Sequence, residues 1–322
     1  MIESGWVAQG AETRLFEEEL CRFIGLPEGH VVAVSSGSAA LFLALWALGA
    51  SGRDVAIPSY ACSAIPNAVN LLRGKSVVVD SSVSTPNVDI GRLDSSGCYV
   101  AIVAHMFGIP EDLSVVRSVP IIEDCAQSFG ATVNHRPVGL QGQLGVFSFS
   151  ATKLMTSGGQ GGAVVARDKE IVEKIRDYRE FDFRRDNKSR FNFQLTDLQS
   201  AFGRAQLKRL PMLLARREEI IARYRAVAPL IQQNSDTCKS VPYRAVVETK
   251  DWKKLVQFFR TRDISCINPM HTWELNGDPT KMKNARRYSH SLVSLPLYPT
   301  LTEKSVDKVV NGLIEWGDRV GF

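Results

Sequence analysis

The 322-residue chain is 44% hydrophobic and 23% charged, enough apolar material for a large core, and its length predicts one large domain plus a smaller one. A formal net charge of +5 permits an anionic ligand but gives no sign of nucleic-acid binding, and no zinc-finger or RRM-type spacing is visible. Six scattered cysteines without a CxxC pair suit a reducing cytosol better than a disulfide framework or a zinc site. The N-terminus lacks the basic start and apolar run of a secretion signal. The longest apolar run, 39–50, falls short of the roughly 20 residues that span a bilayer, so a cytoplasmic protein without a membrane partner is expected.

Residues 13–24 read as an amphipathic helix with Leu15, Phe16, Leu20, Phe23 and Ile24 on one face. A short apolar strand at 30–34 runs into Ser35-Ser36-Gly37-Ser38 and then a helix from about 39 to 48. Strand, small polar turn and helix aim free backbone N–H groups at an anion, although a plain serine N-cap reads the same way. Strands are predicted at 55–57, 76–79, 99–104 and 119–122, with helices near 63–72 and 111–116. Buried strands alternating with helices indicate an α/β layer structure with a mostly parallel sheet, whose ligands sit at the carboxyl ends of the strands.

Two residue sets follow such strands. Glu123-Asp124-Cys125-Ala126-Gln127 closes the strand at 119–122, and a carboxylate buried there needs a partner. Further on, two apolar strands at 146–149 and 162–165 flank a Ser/Thr/Gly-rich turn that carries Lys153. Phe147 and Phe149 share one face of the first strand, and Ser148 and Ser150 share the other. A lysine in such a setting is ordinarily a solvated turn residue. In a pocket that lowers its pKa it forms a Schiff base with a carbonyl.

Beyond the turn, 181–193 is basic and aromatic, either an exposed loop or a contact for phosphate. A helix over 195–210, with Leu198, Phe202, Ala205 and Leu210 inward, is expected to end where Pro211 opens a second helix to about 227. A polar linker at 229–241 leads to a smaller α+β unit: a strand at 243–247, a helix at 251–260, the segment 264–268, and a last helix capped by Thr302. The expected domains are 1–210 and 211–322.

The order Gly37-Ser38-Ala39-Ala40-Leu41, Glu123-Asp124-Cys125-Ala126-Gln127 and FSFSATK resembles the DegT/DnrJ/EryC1/StrS family of sugar aminotransferases. The opening GWVAQGAETRLFEEEL and the late SLPLYPTLTEKSVDKVV are similar to that family as well. The resemblance implies the fold-type-I architecture: a large α/β/α domain with a mostly parallel sheet, followed by a small α+β domain. It also implies pyridoxal 5'-phosphate (PLP) as cofactor. Lys153 would hold PLP and serve as general base and acid, Asp124 would pair with the pyridinium nitrogen, and Gln127 would sit near the ring. Gly37, Ser38 and Ser148 would contact the cofactor phosphate. Asn192 would reach the phosphate of a neighbouring subunit, which implies a homodimer with shared active sites.

The implied activity moves nitrogen from an amino acid, glutamate by resemblance, to a nucleotide-linked keto sugar with ping-pong kinetics. A different PLP-dependent reaction or acceptor, or a non-catalytic PLP- or nucleotide-sugar-binding regulator, are the alternatives. Departures from the family pattern are Cys62 in place of the ring-stacking aromatic, Gln194 for arginine, Arg190 for glycine, and a chain shorter than typical members. Asp80, Asn87, Asp89 and His105 resemble family positions and are read as structural, and His271 and Trp273 fall loosely where the family has substrate-side residues.

Overall fold

The computed structural model describes residues 5–231 and 237–322. Residues 1–4 of the N-terminus read as leaderless, and 232–236 of the expected linker, lie outside the described residues. In chain order the elements are α1 (Ala11–Ile24), β1 (Val31–Val34), α2 (Gly37–Ala47), β2 (Asp54–Pro58), α3 (Ala64–Leu71), β3 (Lys75–Val79), α4 (Ile90–Asp94), β4 (Val100–Ala104) and β5 (Ile121–Asp124). A small hairpin, β6 (Thr132–Val133) and β7 (Arg136–Pro137), precedes β8 (Leu144–Ser148), β9 (Gly162–Val165), α5 (Lys169–Arg179) and α6 (Asp197–Arg225). The chain ends in β10 (Cys238–Lys239), β11 (Ala245–Glu248), α7 (Trp252–Arg260), α8 (Lys283–Ser291), β12 (Leu292–Leu295) and α9 (Glu303–Arg319).

The central sheet has seven strands in the order β1-β9-β8-β5-β4-β2-β3. The five from β8 to β3 are mutually parallel, β9 is antiparallel to β8, and β1 is antiparallel to β9. The carboxyl ends of β1, β2, β4, β5 and β8 therefore open on one edge. Period-two alternation sorts their side chains: Val32, Val34, Ile57, Ile102, Ile122 and Val146 face α2 and α3, while Ala33 and Phe147 face α1 and α6. A third core joins Ile220, Ile221 and Tyr224 of α6 to α7, α9 and the β11–β12 pair. Helices thus cover both faces of a mostly parallel sheet, and a smaller α+β unit follows.

Three expectations are corrected. Residues 111–116 form no helix, because their amides bond to side chains instead: Glu111 to His105 Nδ1, Leu113 to Gln141, and Ser114 to Asp112. Pro211 does not divide two helices. It sits inside the continuous α6, whose Leu207 and Leu210 are anchored in one core and Ile220 and Ile221 in another, so the division at 210 falls within one helix. The inward face of α6 is Ser200, Gly203, Leu207 and Leu210. Leu198 and Phe202 are instead 53% and 48% exposed, and Ala205 is exposed too. Gly203 fixes that choice, since a Cβ there would stand 2.8 Å from the Phe16 ring. Among the described residues no helix is long and apolar enough to cross a membrane.

Candidate active site

Lys153 projects into a cavity of about 490 Å³ at the carboxyl edge of the sheet, with Cys62, Phe107, Gln127, Tyr243 and Arg244 in its wall. The lysine follows β8 in a tight turn held by the Lys153 N–H to the Ser150 carbonyl (3.0 Å) and the Ser157 N–H to the Phe149 carbonyl (2.9 Å). Its Nζ lies 5.7 Å from the centroid of the Tyr243 ring, and among the described residues it forms no ion pair.

Asp124 ends β5 on the next strand. Burial pushes its carboxyl above the ordinary range, partly offset by the Ala126 N–H (3.0 Å) and the nearby charge of Lys153. Its neighbour Glu123 behaves oppositely. Burial acts to raise it, but His105 Nε2 (3.1 Å) and the amides of Gly142 (2.8 Å) and Gly139 (2.9 Å) outweigh burial and hold it below the ordinary range. His105 Nδ1 accepts from the Glu111 N–H (3.2 Å), which leaves the proton on Nε2 for Glu123. His105 and Glu123 therefore support the wall rather than face the cavity. Gln127 is fixed by accepting from the Phe107 N–H at 2.8 Å.

Gly37 opens α2 directly against Ser148. A Cβ on Gly37 would lie 2.9 Å from Ser148 Cβ and 3.1 Å from its Oγ. Ser36 caps the helix by accepting from the Ala39 N–H (3.1 Å), which leaves the amides of Gly37 and Ser38 without intrahelical acceptors. Ser38 is exposed in this first turn. Exposed backbone amides, two serine hydroxyls and the space that glycine leaves form an anion cradle.

Cys62 is exposed in the cavity wall, and the Ala64 N–H approaches its Sγ at 3.5 Å. The other five cysteines are buried. Asn192 does not line the cavity. It is exposed, and its Oδ1 accepts from the Gln194 N–H (3.0 Å), in a segment tied to the end of β1 by the Ser35 N–H to the Phe193 carbonyl (2.9 Å). Arg190 is committed to Asp177 (2.9 Å) and Asp186 (2.6 Å), so the basic loop offers no free guanidinium at that position. Trp273 lines the cavity while 81% exposed, and stacks on His271 at 6.1 Å.

Sequence reasoning missed Tyr243, Arg244 and Asn276. Asn276 clamps the loop bearing Cys62 by donating to the carbonyls of Pro58 (2.9 Å) and Ala61 (3.2 Å). Asp80 ties the same parts together by accepting from the amides of Asn284 (3.0 Å) and Ala285 (2.9 Å) at the start of α8.

The DegT/DnrJ/EryC1/StrS aminotransferase family model matches residues 1–314. The chain belongs to this family. It is a PLP-dependent aminotransferase. It is 27% identical to the spore coat polysaccharide biosynthesis protein SpsC of Bacillus subtilis, over 97% of this chain and 91% of that protein. It is also 27% identical to the GDP-perosamine synthase of Vibrio cholerae, over 96% and 92%. The solved structure of S. venezuelae DesV in complex with a ketimine intermediate superposes with a TM-score of 0.90 at 26% identity, covering 99% of this chain and 92% of that one. The PLP form of Spr1654 from Streptococcus pneumoniae shares the fold, with a TM-score of 0.88 at 22% identity and coverage of 99% and 94%.

The residues present fit the cofactor. The Gly37–Ser148 cradle suits a phosphate, the half-buried carboxylate of Asp124 suits a pyridinium N–H, and a lysine without an ion pair lies within electrostatic range of that carboxylate.

Proposed function

We propose that this chain transfers an amino group from an α-amino acid, glutamate first among candidates, to a keto group on a nucleotide-linked sugar. The observation that carries the reading is Lys153 within electrostatic range of the half-buried Asp124 at the carboxyl edge of the sheet, with Gly37 at the start of α2 packed against Ser148 at the end of β8. The names of relatives that make perosamine or spore coat polysaccharide support a sugar acceptor.

PLP, when bound, supplies an electron sink that acidifies the proton on the amino-bearing carbon. Gly37, Ser38 and Ser148 would bind its phosphate, Asp124 would keep a proton at its ring nitrogen, and Gln127 would border the ring. Lys153 would hold the cofactor covalently and, once displaced by the donor amine, its Nζ would take a proton from the donor α-carbon. Because one lysine and one cavity serve donor and acceptor in turn, ping-pong kinetics are expected.

Phe191, Leu198 and Phe202 are exposed apolar side chains in the segments that flank Asn192 in the chain, which supports a homodimer in which Asn192 serves the partner's cavity. The test of function is the absorbance spectrum of the PLP-loaded protein. A band at about 410–430 nm, trapped on Lys153 by borohydride and bleached by glutamate, is expected. A band indifferent to Lys153→Ala and to every amino acid would overturn the reading.

A further inference from the structure

A separate cavity of about 490 Å³ lies at the amino edge of the sheet, opposite the edge that carries Lys153. The topology fixes that placement. The lining residues of the loop 112–117 come ahead of β5, and Leu140 and Gln141 come ahead of β8. Arg167 follows β9, which is antiparallel to β8 and so ends beside the start of β8. Arg117, Arg136 and Arg167 thus line one cavity from three segments: the loop before β5, the β6–β7 hairpin and the turn before α5. All three are exposed, and none forms an ion pair among the described residues. The buried Leu113, Val133 and Leu140 add an apolar wall.

The acids nearby are engaged by other donors. Asp112, the carboxylate in the wall, accepts from the Ser114 N–H (2.9 Å), and hydrogen bonds from Ser114 and Asn134 hold it below the ordinary range. Asp94 is within electrostatic range of Arg117, but its Oδ1 accepts from the amides of Arg117 (3.0 Å) and Ser118 (2.9 Å) and from the Ser118 hydroxyl (2.6 Å). The Arg117 guanidinium donates only to the Val116 carbonyl (3.0 Å). Other arginines of the chain are closed internally: Arg190 on Asp177 and Asp186, Arg204 on Glu12 and Glu19, Arg262 on Glu315. A concave wall with charge of one sign focuses its potential into the cavity, and the three guanidiniums repel one another until an anion sits among them.

We propose that Arg117, Arg136 and Arg167 form a second anion site, remote from the Lys153 cavity, for a small molecule that carries two linked phosphate groups. The site goes beyond the amino-transfer reading and does not depend on it. Guanidiniums keep their charge at any working pH and receive phosphate oxygens in bidentate pairs, so three of them match a diphosphate better than a single phosphate. The cavity volume falls within the roughly 300–1,000 Å³ typical of small-molecule sites, which leaves room for an organic body against Leu113, Val133 and Leu140.

The test is calorimetry on the PLP-loaded protein at about physiological salt, where charges more than about 8 Å apart in solvent are screened. The probes are inorganic pyrophosphate and inorganic phosphate. Pyrophosphate is expected to bind about tenfold or more tightly than phosphate, and Arg136→Gln and Arg167→Gln are each expected to weaken it about fivefold or more. Arg136→Lys should recover part of the loss, since it keeps the charge and gives up the fork. Because the arginines are exposed, these variants should keep the wild-type thermal midpoint. No binding heat from pyrophosphate would overturn the proposal, as would phosphate held equally tightly or an affinity indifferent to Arg136→Gln and Arg167→Gln. Pyrophosphate binding that is lost in Arg244→Gln, and kept when the three arginines are replaced, would place the anion in the Lys153 cavity and sink the second site.

Discussion

On the sheet side of the Lys153 cavity, the buried Glu123 collects hydrogen bonds from three backbone amides and the buried His105. On the C-terminal side, Arg244 and Arg217 receive only a hydroxyl and carbonyls. Both regions hold charge, but hydrogen bonds of the fold satisfy the first, and the second has no acidic partner among the described residues. A scaffold that must keep its shape closes its charges internally, while a surface that must recognise a ligand leaves one open. The same contrast recurs one residue apart on β5, where Glu123 is satisfied by the fold and Asp124 is held at a cost that a bound cation relieves.

The largest effect should come from Lys153→Ala, which removes the group proposed to move the proton. Amino transfer is expected to fall by about 10²–10⁴-fold or more, with the folded protein and its thermal midpoint retained. Residual turnover near wild type in a coupled assay would assign the chemistry to another group.

Next is Glu123→Ala, which strands the amides of Gly139, Gln141 and Gly142 together with His105. A loss of about 3–5 kcal/mol in denaturant unfolding is expected, because each buried donor keeps its desolvation cost and loses its acceptor. Arg244→Gln should cost far less stability, since that charge has no acidic partner among the described residues and donates only to the Ser294 hydroxyl. Equal losses would erase the contrast between the two sides.

Gly108→Ala tests how the two sides are joined. Gly108 has φ +85°, and a Cβ there would stand 2.1 Å from the Val241 carbonyl, just ahead of Tyr243 and Arg244. The Val241 N–H bonds back to the Gly108 carbonyl at 3.0 Å. A destabilisation of about 1–3 kcal/mol is expected, with a rise in donor KM as the Tyr243–Arg244 wall shifts. An unchanged KM would show that the wall is positioned from β12 alone.

Much of the sheet side was legible because its signals are local. Short apolar runs assign β1, β5 and β8, and the residues at or after their ends, Gly37, Asp124 and Lys153, land on one edge once the strands are parallel. The C-terminal wall was not legible, because Tyr243, Arg244 and Asn276 come from distant segments whose local pattern is only that of an ordinary strand or turn. The same limit explains residues 111–116, whose helical periodicity is overridden by acceptors on His105 and Gln141. It explains α6 as well: Pro211 is a local breaker, but cores on both sides hold the helix together.

The smallest effect, and the one that best separates the two carboxylates of β5, is Asp124→Asn in cofactor-free protein. The folded-state pKa of Asp124 lies above its unfolded value, so between those two values the native chain binds more protons than the unfolded chain. Stability from this group is intact below the unfolded pKa and is lost as pH rises through the folded one. Asn carries no such proton, so the variant should be more stable than wild type at neutral pH, with the gap closing as pH falls through the carboxylate range. Glu123 has the opposite sign, losing its contribution as pH falls through its depressed folded pKa, but it is present in both proteins and cancels in the comparison. Loading PLP should reverse the order, since the wild-type carboxylate would then pair with the pyridinium N–H and the amide would not. Denaturant midpoints across a pH series, with and without PLP, read both signs. A variant less stable than wild type at neutral pH without cofactor would mean that the charge of Lys153 already outweighs the burial of Asp124, and that the fold alone satisfies this carboxylate as it does Glu123.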